Sequence, residues 1–402
     1  MKKKLVLVLM LCMGLAFSAG CADTKDQAQA DTEELKEAGT ETPDAAKRAT
    51  IEYNAEDYVT LGDYKGLKIS LNEADYQFTD EDVNSYADQM IAYTKPFVPD
   101  ETKTEVGAND IVNVDYVGKK DGEPFDGGSA QDQYIDVANN CSAAGGGGYI
   151  EGFTAGLVGA KVGESVDCAV TFPEDYQAED LKGQEAVFTF TVKSVVKKVT
   201  RDMLDDSYVK DNFQVENVDE FYQNIRLGLE QDMQSKKDSA IRSAVIEKVM
   251  ENCKVNSLPE GLLESRLDDY MQLFENQYCS EDVKLEDFLR TNYNMSVDEF
   301  YEENKKYMET NLNQELVFET ISKKENLEFD QEEYDDYVNQ IVSSGRYASI
   351  DALYESYGAD KAAGEEYFKK IYMVNKACNL AVEQSDVSFT QGEAVIDTEQ
   401  AE

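Results

Sequence analysis

Between Ile111 and Lys193 apolar and polar positions alternate with a period of two. Val112, Val114 and Tyr116 fall on one face of an extended chain, as do Val166, Cys168, Val170 and Phe172, and as do Phe188, Phe190 and Val192. Turn residues interrupt the alternation, and 13 of the 25 glycines of the chain lie in this stretch, where tight turns and sheet bends need positive φ or close backbone approach. The pattern predicts a small, strongly bent antiparallel sheet. Ile150, Phe153 and Leu157, spaced by three and four, predict one short helix that lays an apolar ridge on it.

After Lys193 only six glycines and one proline remain, so long helices are allowed. Phe221, Ile225, Leu229, Met233, Ile241, Val245 and Val249 recur largely at four-residue steps and predict one continuous stripe over 218–249. Ser257 with Glu260 reads as a capping box, with Pro259 in the first turn, ahead of Leu263, Leu267, Tyr270, Met271 and Phe274. Ser296 with Glu299 reads as another, ahead of Phe300, Tyr307, Leu312 and Ile321. Two further helices are expected around 334–341 and 365–382, and 385–402 reads as a frayed acidic tail. Upstream, Thr79 caps a helix with acidic residues in its first turn. The predicted fold class is α+β, a small bent sheet domain with a short helix followed by an all-helical domain.

Met1 to Gly20 starts with three lysines, continues with an apolar run from Leu5 to Phe17 and ends in Ser18, Ala19 and Gly20 before Cys21. This is the order of a secretory signal. The apolar run is short of the roughly 20 residues that a stable membrane-spanning helix needs. Small residues followed at once by cysteine resemble the bacterial lipobox, with Ser18 where that motif usually has Leu, so Cys21 is the expected site of lipid attachment. Residues 22–50 are polar, without an aromatic, and read as a disordered acidic tether. The expected localisation is extracytoplasmic, lipid-anchored to the bacterial cell membrane.

Acidic residues number 82 against 38 basic ones, a formal net charge of −44, which excludes nucleic-acid binding. The absence of histidine removes Ser-His-Asp and Cys-His chemistry and His-containing metal sites. Beyond Cys12 and Cys21 the cysteines are Cys141, Cys168, Cys253, Cys279 and Cys378, an odd set without a Cys-x-x-Cys pair, so no disulfide framework is expected. No metal or cofactor is expected. Acid pairs such as Glu174 with Asp175 read as solvated surface in so acidic a chain, not as a general acid and base.

Four ordered motifs carry a resemblance: VDYVG at 114–118, DGEPFDGG at 121–128, YIEGFTAGLVGAKVGE at 149–164 and TFPEDYQAEDLKG at 171–183. They resemble the FKBP-type peptidyl-prolyl isomerases and, among these, the isomerase domain of trigger factors. The resemblance implies a proline-binding site made of Tyr116, Phe125, Asp126, Tyr149, Ile150, Phe153, Tyr176 and Phe190, with Phe153 where many relatives carry tryptophan; this chain has none. By the same resemblance Asp126 and Tyr176 orient substrate; Phe188 reads as plain core. One departure is the insertion ANNCSAAGGGG at 138–148, directly before Tyr149, which reads as a flexible loop. YVTLGDYKGL at 58–67, VTRDMLDDSYVKDNF at 199–213 and VNSLPEGLLESRL at 255–267 resemble the flanking trigger factor segments and its helical client-binding domain.

The expected organisation is thus a signal at 1–21, a tether at 22–50, a connecting segment with one helix at 51–107, an FKBP-type domain at 108–198, a helical client-binding domain at 199–384 and an acidic tail at 385–402. The resemblance implies a peptidyl-prolyl cis-trans isomerase and folding chaperone. Its partners would be unfolded or nascent exported polypeptides with X-Pro bonds, with the membrane reached through the lipid anchor and no ribosome docking. The alternative is a lipid-anchored holdase or surface binding protein whose isomerase site has decayed.

Overall fold

The computed structural model describes residues 51–391 apart from 95, 146, 281, 282, 346 and 359. The expected signal, Cys21 and the tether lie outside the described residues, as does 392–402. The first elements along the chain are β1 (Val59–Thr60), β2 (Lys68–Asn72), α1 (Asp80–Thr94), β3 (Phe97–Pro99), β4 (Ile111–Lys120), β5 (Glu123–Asp136), β6 (Cys141–Ser142), β7 (Ser165–Thr171) and β8 (Glu185–Lys198). Then follow α2 (Asp206–Phe213), α3 (Val218–Asn252), β9 (Lys254–Val255), α4 (Leu262–Tyr278), α5 (Leu285–Tyr293) and α6 (Val297–Lys324). The last are α7 (Gln331–Ser343), α8 (Ile350–Tyr357), α9 (Lys361–Glu383) and β10 (Asp386–Thr390). They group into two compact units, Phe78–Gln231 and a discontinuous one made of the residues on either side of it.

In the first unit the sheet has the order β3-β8-β4-β5-β6, with β7 also on β8, and every pairing is antiparallel. β4 lies between β5 and β8, with Val112 opposite Ile135 on one side and Val195 on the other. Register shifts in β4 near Val114 and Val117 supply the bend. The three predicted faces meet in one core that includes Val112, Val114, Cys168, Val170, Phe188, Phe190 and Val192. The expected short helix is instead a chain of turns, in which N–H groups of Phe153, Ala155 and Leu157 each donate to the carbonyl three residues back. Gly152 holds φ +84, which a regular helix excludes, but Phe153 and Leu157 still reach the core as anticipated.

The boundary expected at 198 moves. The buried side of α1, Val83 and Ala87, is covered by Val209 of α2 and by Phe221 and Ile225 of α3. α1, α2 and the first part of α3 therefore belong to the sheet's unit, and the division falls at Gln231, inside the 35-residue helix α3. The Thr79 cap is present: its hydroxyl accepts from the Asp82 N–H at 3.3 Å, and Asp82 accepts the Thr79 N–H at 2.7 Å.

In the second unit, residues expected only to connect are part of the core. Tyr64, Leu67 and Ile69 are buried with Val245 and Val249 of α3, Leu316 to Phe318 of α6 and Ala377 and Cys378 of α9. The expected acidic tail is corrected as well: β10 pairs in parallel with β2, Val387 opposite Ile69 and Phe389 opposite Leu71, because its Val387 and Phe389 face inward while the residues between them face water. The Ser296 and Glu299 capping box opens α6 as read. The one at Ser257 does not form: α4 starts at Leu262 behind Gly261, whose φ is +77, and Pro259 lies in the preceding turn, its carbonyl accepting the Leu262 N–H at 3.1 Å. The expected helices around 334–341 and 365–382 are α7 and α9.

Candidate functional site

The candidate residues converge because β4 and β8 are neighbours and set Tyr116 opposite Phe190, with Phe188 two residues back on the same face of β8. The 150–157 turns lay Phe153 on these rings, its centroid 4.8 Å from Phe188, 4.9 Å from Phe190 and 5.3 Å from Tyr116. Near-perpendicular approaches, such as the 88° between Tyr116 and Phe153, set ring edges against π faces. Tyr149 then stacks on Phe153 at 4.4 Å with 23° between planes.

Phe125 reaches the other side of Phe188, at 5.8 Å and 89°. Its approach explains two glycines of the DGEPFDGG motif and its neighbour strand. A Cβ at Gly118 would stand 2.8 Å from the Phe125 ring, and one at Gly128 would stand 2.6 Å from it. Phe172 continues the cluster, 5.9 Å from Phe125 and 4.7 Å from Tyr176.

Burial sorts the residues. Phe190 is fully buried and Phe153 is 3 % exposed, so they are the floor. Tyr116, Phe125, Tyr149, Ile150 and Tyr176 are half-buried and pack on that floor. Asp126, next to Phe125 in the chain, is exposed. Phe188, read as core, is core at 5 % exposure, and it also joins the Tyr116–Phe153 group to the Phe125–Phe172 group. Phe172 was missed as a site residue; its place on the face of Cys168 and Val170, directly before Pro173, was the available signal.

Electrostatically the site is quiet. Burial raises the pKa of Tyr116, with a smaller contribution from the nearby Tyr176 phenol, and burial likewise raises that of Tyr149. Both therefore remain neutral phenols at physiological pH.

The insertion before Tyr149 is built in, contrary to the loop expectation. Cys141 and Ser142 form β6 against β5, and the Tyr149 N–H donates to the Asn140 carbonyl at 2.8 Å. The Asn140 side-chain amide donates to the carbonyls of Tyr149 and Ile150, each at 3.0 Å. A single asparagine thus ties the inserted hairpin to two site residues.

Comparison with known proteins places this arrangement. Residues 102–195 match the FKBP-type peptidyl-prolyl cis-trans isomerase family, a span holding every candidate site residue, and 217–383 match the bacterial trigger factor C-terminus. Over 307 residues the chain is 34 % identical to the trigger factor of Halothermothrix orenii, covering 76 % of this chain and 68 % of that one. The chain belongs to the trigger factor family. A second trigger factor, from Shouchella clausii, is 30 % identical over 350 residues, covering 86 % of this chain and 75 % of its own length. A solved structure of the trigger factor chaperone aligns with a TM-score of 0.42 at 15 % identity, covering 81 % of this chain and 72 % of that one, too loose a likeness to bear on the site. The mixed α+β architecture is thus an FKBP-type domain with a trigger factor helical domain, and in this chain 51–77 and β10 pack with the helical unit.

Proposed function

We propose that this trigger factor relative is a peptidyl-prolyl cis-trans isomerase and client-holding chaperone acting outside the cytoplasm from a lipid anchor at Cys21. The observation that carries the isomerase reading is the single aromatic cluster running from Tyr149 to Tyr176 through Phe153, Phe188, Phe125 and Phe172. Rotation about an X-Pro bond must break partial double-bond character against a barrier of about 18–20 kcal/mol. An apolar surface that receives the proline ring and excludes water favours the twisted state, in which charge separation is reduced, over the planar imide. No nucleophile is needed, which suits a chain without histidine. Tyr116, Phe125, Tyr149 and Ile150 would touch the ring, Phe153 would be its floor, and the Tyr176 hydroxyl would orient the substrate backbone.

Anchoring rests on the lysine, apolar and small-residue order ending at Cys21 and on the polar tether behind it. A body of such negative charge on a tether stands off an anionic membrane surface and meets chains as they emerge. The deciding experiment is refolding of a proline-limited substrate by the full chain without its first 21 residues, compared with its Phe125→Ala variant. Acceleration by the first and its loss in the second are expected; no acceleration overturns the isomerase half. A second reading, a holdase with a closed site, is favoured by the Tyr149 ring stacked over Phe153 and held by Asn140.

A further inference from the structure

Lys120 ends β4, two residues past Gly118, against which the Phe125 ring packs. It pairs with Glu123 across a two-residue turn in which Asp121 and Gly122 both hold positive φ, +53 and +85. Such a turn matches the twist of its strands, so the hairpin tip is a firm base. From it the Lys120 ammonium donates to the Asp180 carbonyl at 2.6 Å, 60 residues further along the chain.

Asp180 belongs to the 172–184 loop, which also carries Tyr176. The two ends of the loop are anchored: Phe172 and Leu181 are buried in the sheet's core, and the Phe172 N–H donates to the Gln184 carbonyl at 2.9 Å. Within the loop, the Tyr176 and Gly183 N–H groups donate to the Pro173 carbonyl at 3.2 and 3.3 Å, and Leu181 donates to Ala178 at 3.0 Å. Between the anchors the stretch 173–180 has no buried residue; Tyr176 and Ala178 are half-buried and the others are exposed. The Lys120 bond therefore ties a lightly held stretch to the β4–β5 hairpin.

The two tied segments carry the two ends of one aromatic group. Phe125 follows the hairpin, Tyr176 lies on the loop, and Phe172 stands between them at 5.9 and 4.7 Å. Ring contact sets a separation but lets one ring slide along the next, whereas a hydrogen bond from a charged donor fixes both a distance and a direction. A group that orients substrate has to be held to within about 0.5 Å. We infer that Lys120 is a positioning residue of the isomerase site: through the Asp180 carbonyl it holds the 173–180 stretch, and with it the Tyr176 hydroxyl, beside Phe125. The inference rests on the isomerase reading of this cluster and adds a residue that acts through Tyr176 and not on the substrate.

The test uses the full chain without its first 21 residues. Values of kcat and KM for a proline-containing peptide are measured for Lys120→Met, Tyr176→Phe and the two combined, with Lys120→Arg and Lys119→Met alongside. Lys120→Met keeps the aliphatic stem and removes the donor; it should lower kcat/KM about three- to tenfold, the range that one lost hydrogen bond gives. Added to Tyr176→Phe it should change nothing further. Lys120→Arg, which keeps a charged donor, should retain most of the activity, and Lys119→Met, which removes the same charge one residue away, should leave it unchanged. Hydrogen exchange at the Tyr176 and Leu181 amides should be faster in Lys120→Met, while an unchanged urea midpoint shows the domain intact. Full activity in Lys120→Met, losses that multiply in the double variant, or an equal loss in Lys119→Met overturns the inference. Binding of the same peptide, labelled with a fluorophore, is followed by anisotropy. If the unaltered chain accelerates isomerisation and Lys120→Met matches it, the positioning role falls and the isomerase reading stands. If the unaltered chain binds the peptide without accelerating isomerisation, and Lys120→Met weakens binding only where the Tyr176 hydroxyl is present, the isomerase reading falls and the positioning role stands.

Discussion

The Tyr149 ring lies over Phe153, centroids 4.4 Å apart and planes 23° apart, and covers the floor residue that a bound proline ring would meet. Asn140, from the inserted hairpin, fixes the Tyr149 and Ile150 backbone beneath that stack. Access to the floor therefore depends on displacing one ring. Tyr149→Ala should lower KM for a proline-containing peptide by several-fold if the ring only obstructs. It should lower kcat instead if Tyr149 touches the twisting bond. Asn140→Ala should move the same parameter in the same direction, by less.

Catalysis by desolvation predicts little pH dependence. No histidine is present, and Tyr116 and Tyr149 titrate above their ordinary range because burial disfavours the phenolate. The isomerisation rate should stay flat from about pH 6 to about pH 8. Tyr176→Phe, which keeps the ring on Phe172, should reduce the rate only if the hydroxyl orients substrate, while Glu174→Ala and Asp175→Ala should leave it unchanged. A bell-shaped profile would move catalysis to a titrating group outside this cluster.

The helical unit should not fold from a fragment that starts after β8. Tyr64, Leu67 and Ile69 are buried in its core, and β2 supplies the partner of β10. Deleting 51–77, or Leu67→Ala at about 2–5 kcal/mol, should therefore destabilise that unit. Urea unfolding followed by circular dichroism at 222 nm, a wavelength dominated by helix, reports the loss.

Acid should weaken the same unit through Glu315. Burial works to raise its pKa, but Lys370 and Arg266 outweigh burial, and the carboxyl is held below the usual glutamate range. With the folded value below the unfolded one, the stabilisation is complete above the ordinary value of about 4.3 and is lost as pH falls through the folded value. Glu315→Gln should destabilise the unit at neutral pH, because the half-buried Lys370 and Arg266 lose their buried counter-charge, and should flatten the acid limb of the stability profile.

Anchoring is tested in a Gram-positive host. The protein should partition with membranes, and Cys21→Ala should release it or leave it unprocessed. A mature amino terminus that begins at another residue without lipid would contradict the assignment.

What the sequence determined by itself was local and periodic. Alternation gave the faces of β4, β7 and β8, four-residue spacing gave α3, and the Ser296 and Glu299 pair gave the start of α6, because each is set by backbone geometry within a few turns. The ordered motifs gave the family and the candidate site residues. The tertiary structure decided what depends on contacts distant in sequence. Val387 and Phe389 become a strand only because Ile69 and Leu71 lie opposite them. The 51–77 segment is core only because α3, α6 and α9 surround it, and α2 joins the sheet's unit only because α1 offers Val83 and Ala87. Phe188 looks like any buried phenylalanine in its strand; its role as the joint between two aromatic groups exists only once β4, β8 and the 150–157 turns are packed together. Gly152 blocks a helix where the apolar spacing alone called for one, since a positive φ outranks side-chain periodicity.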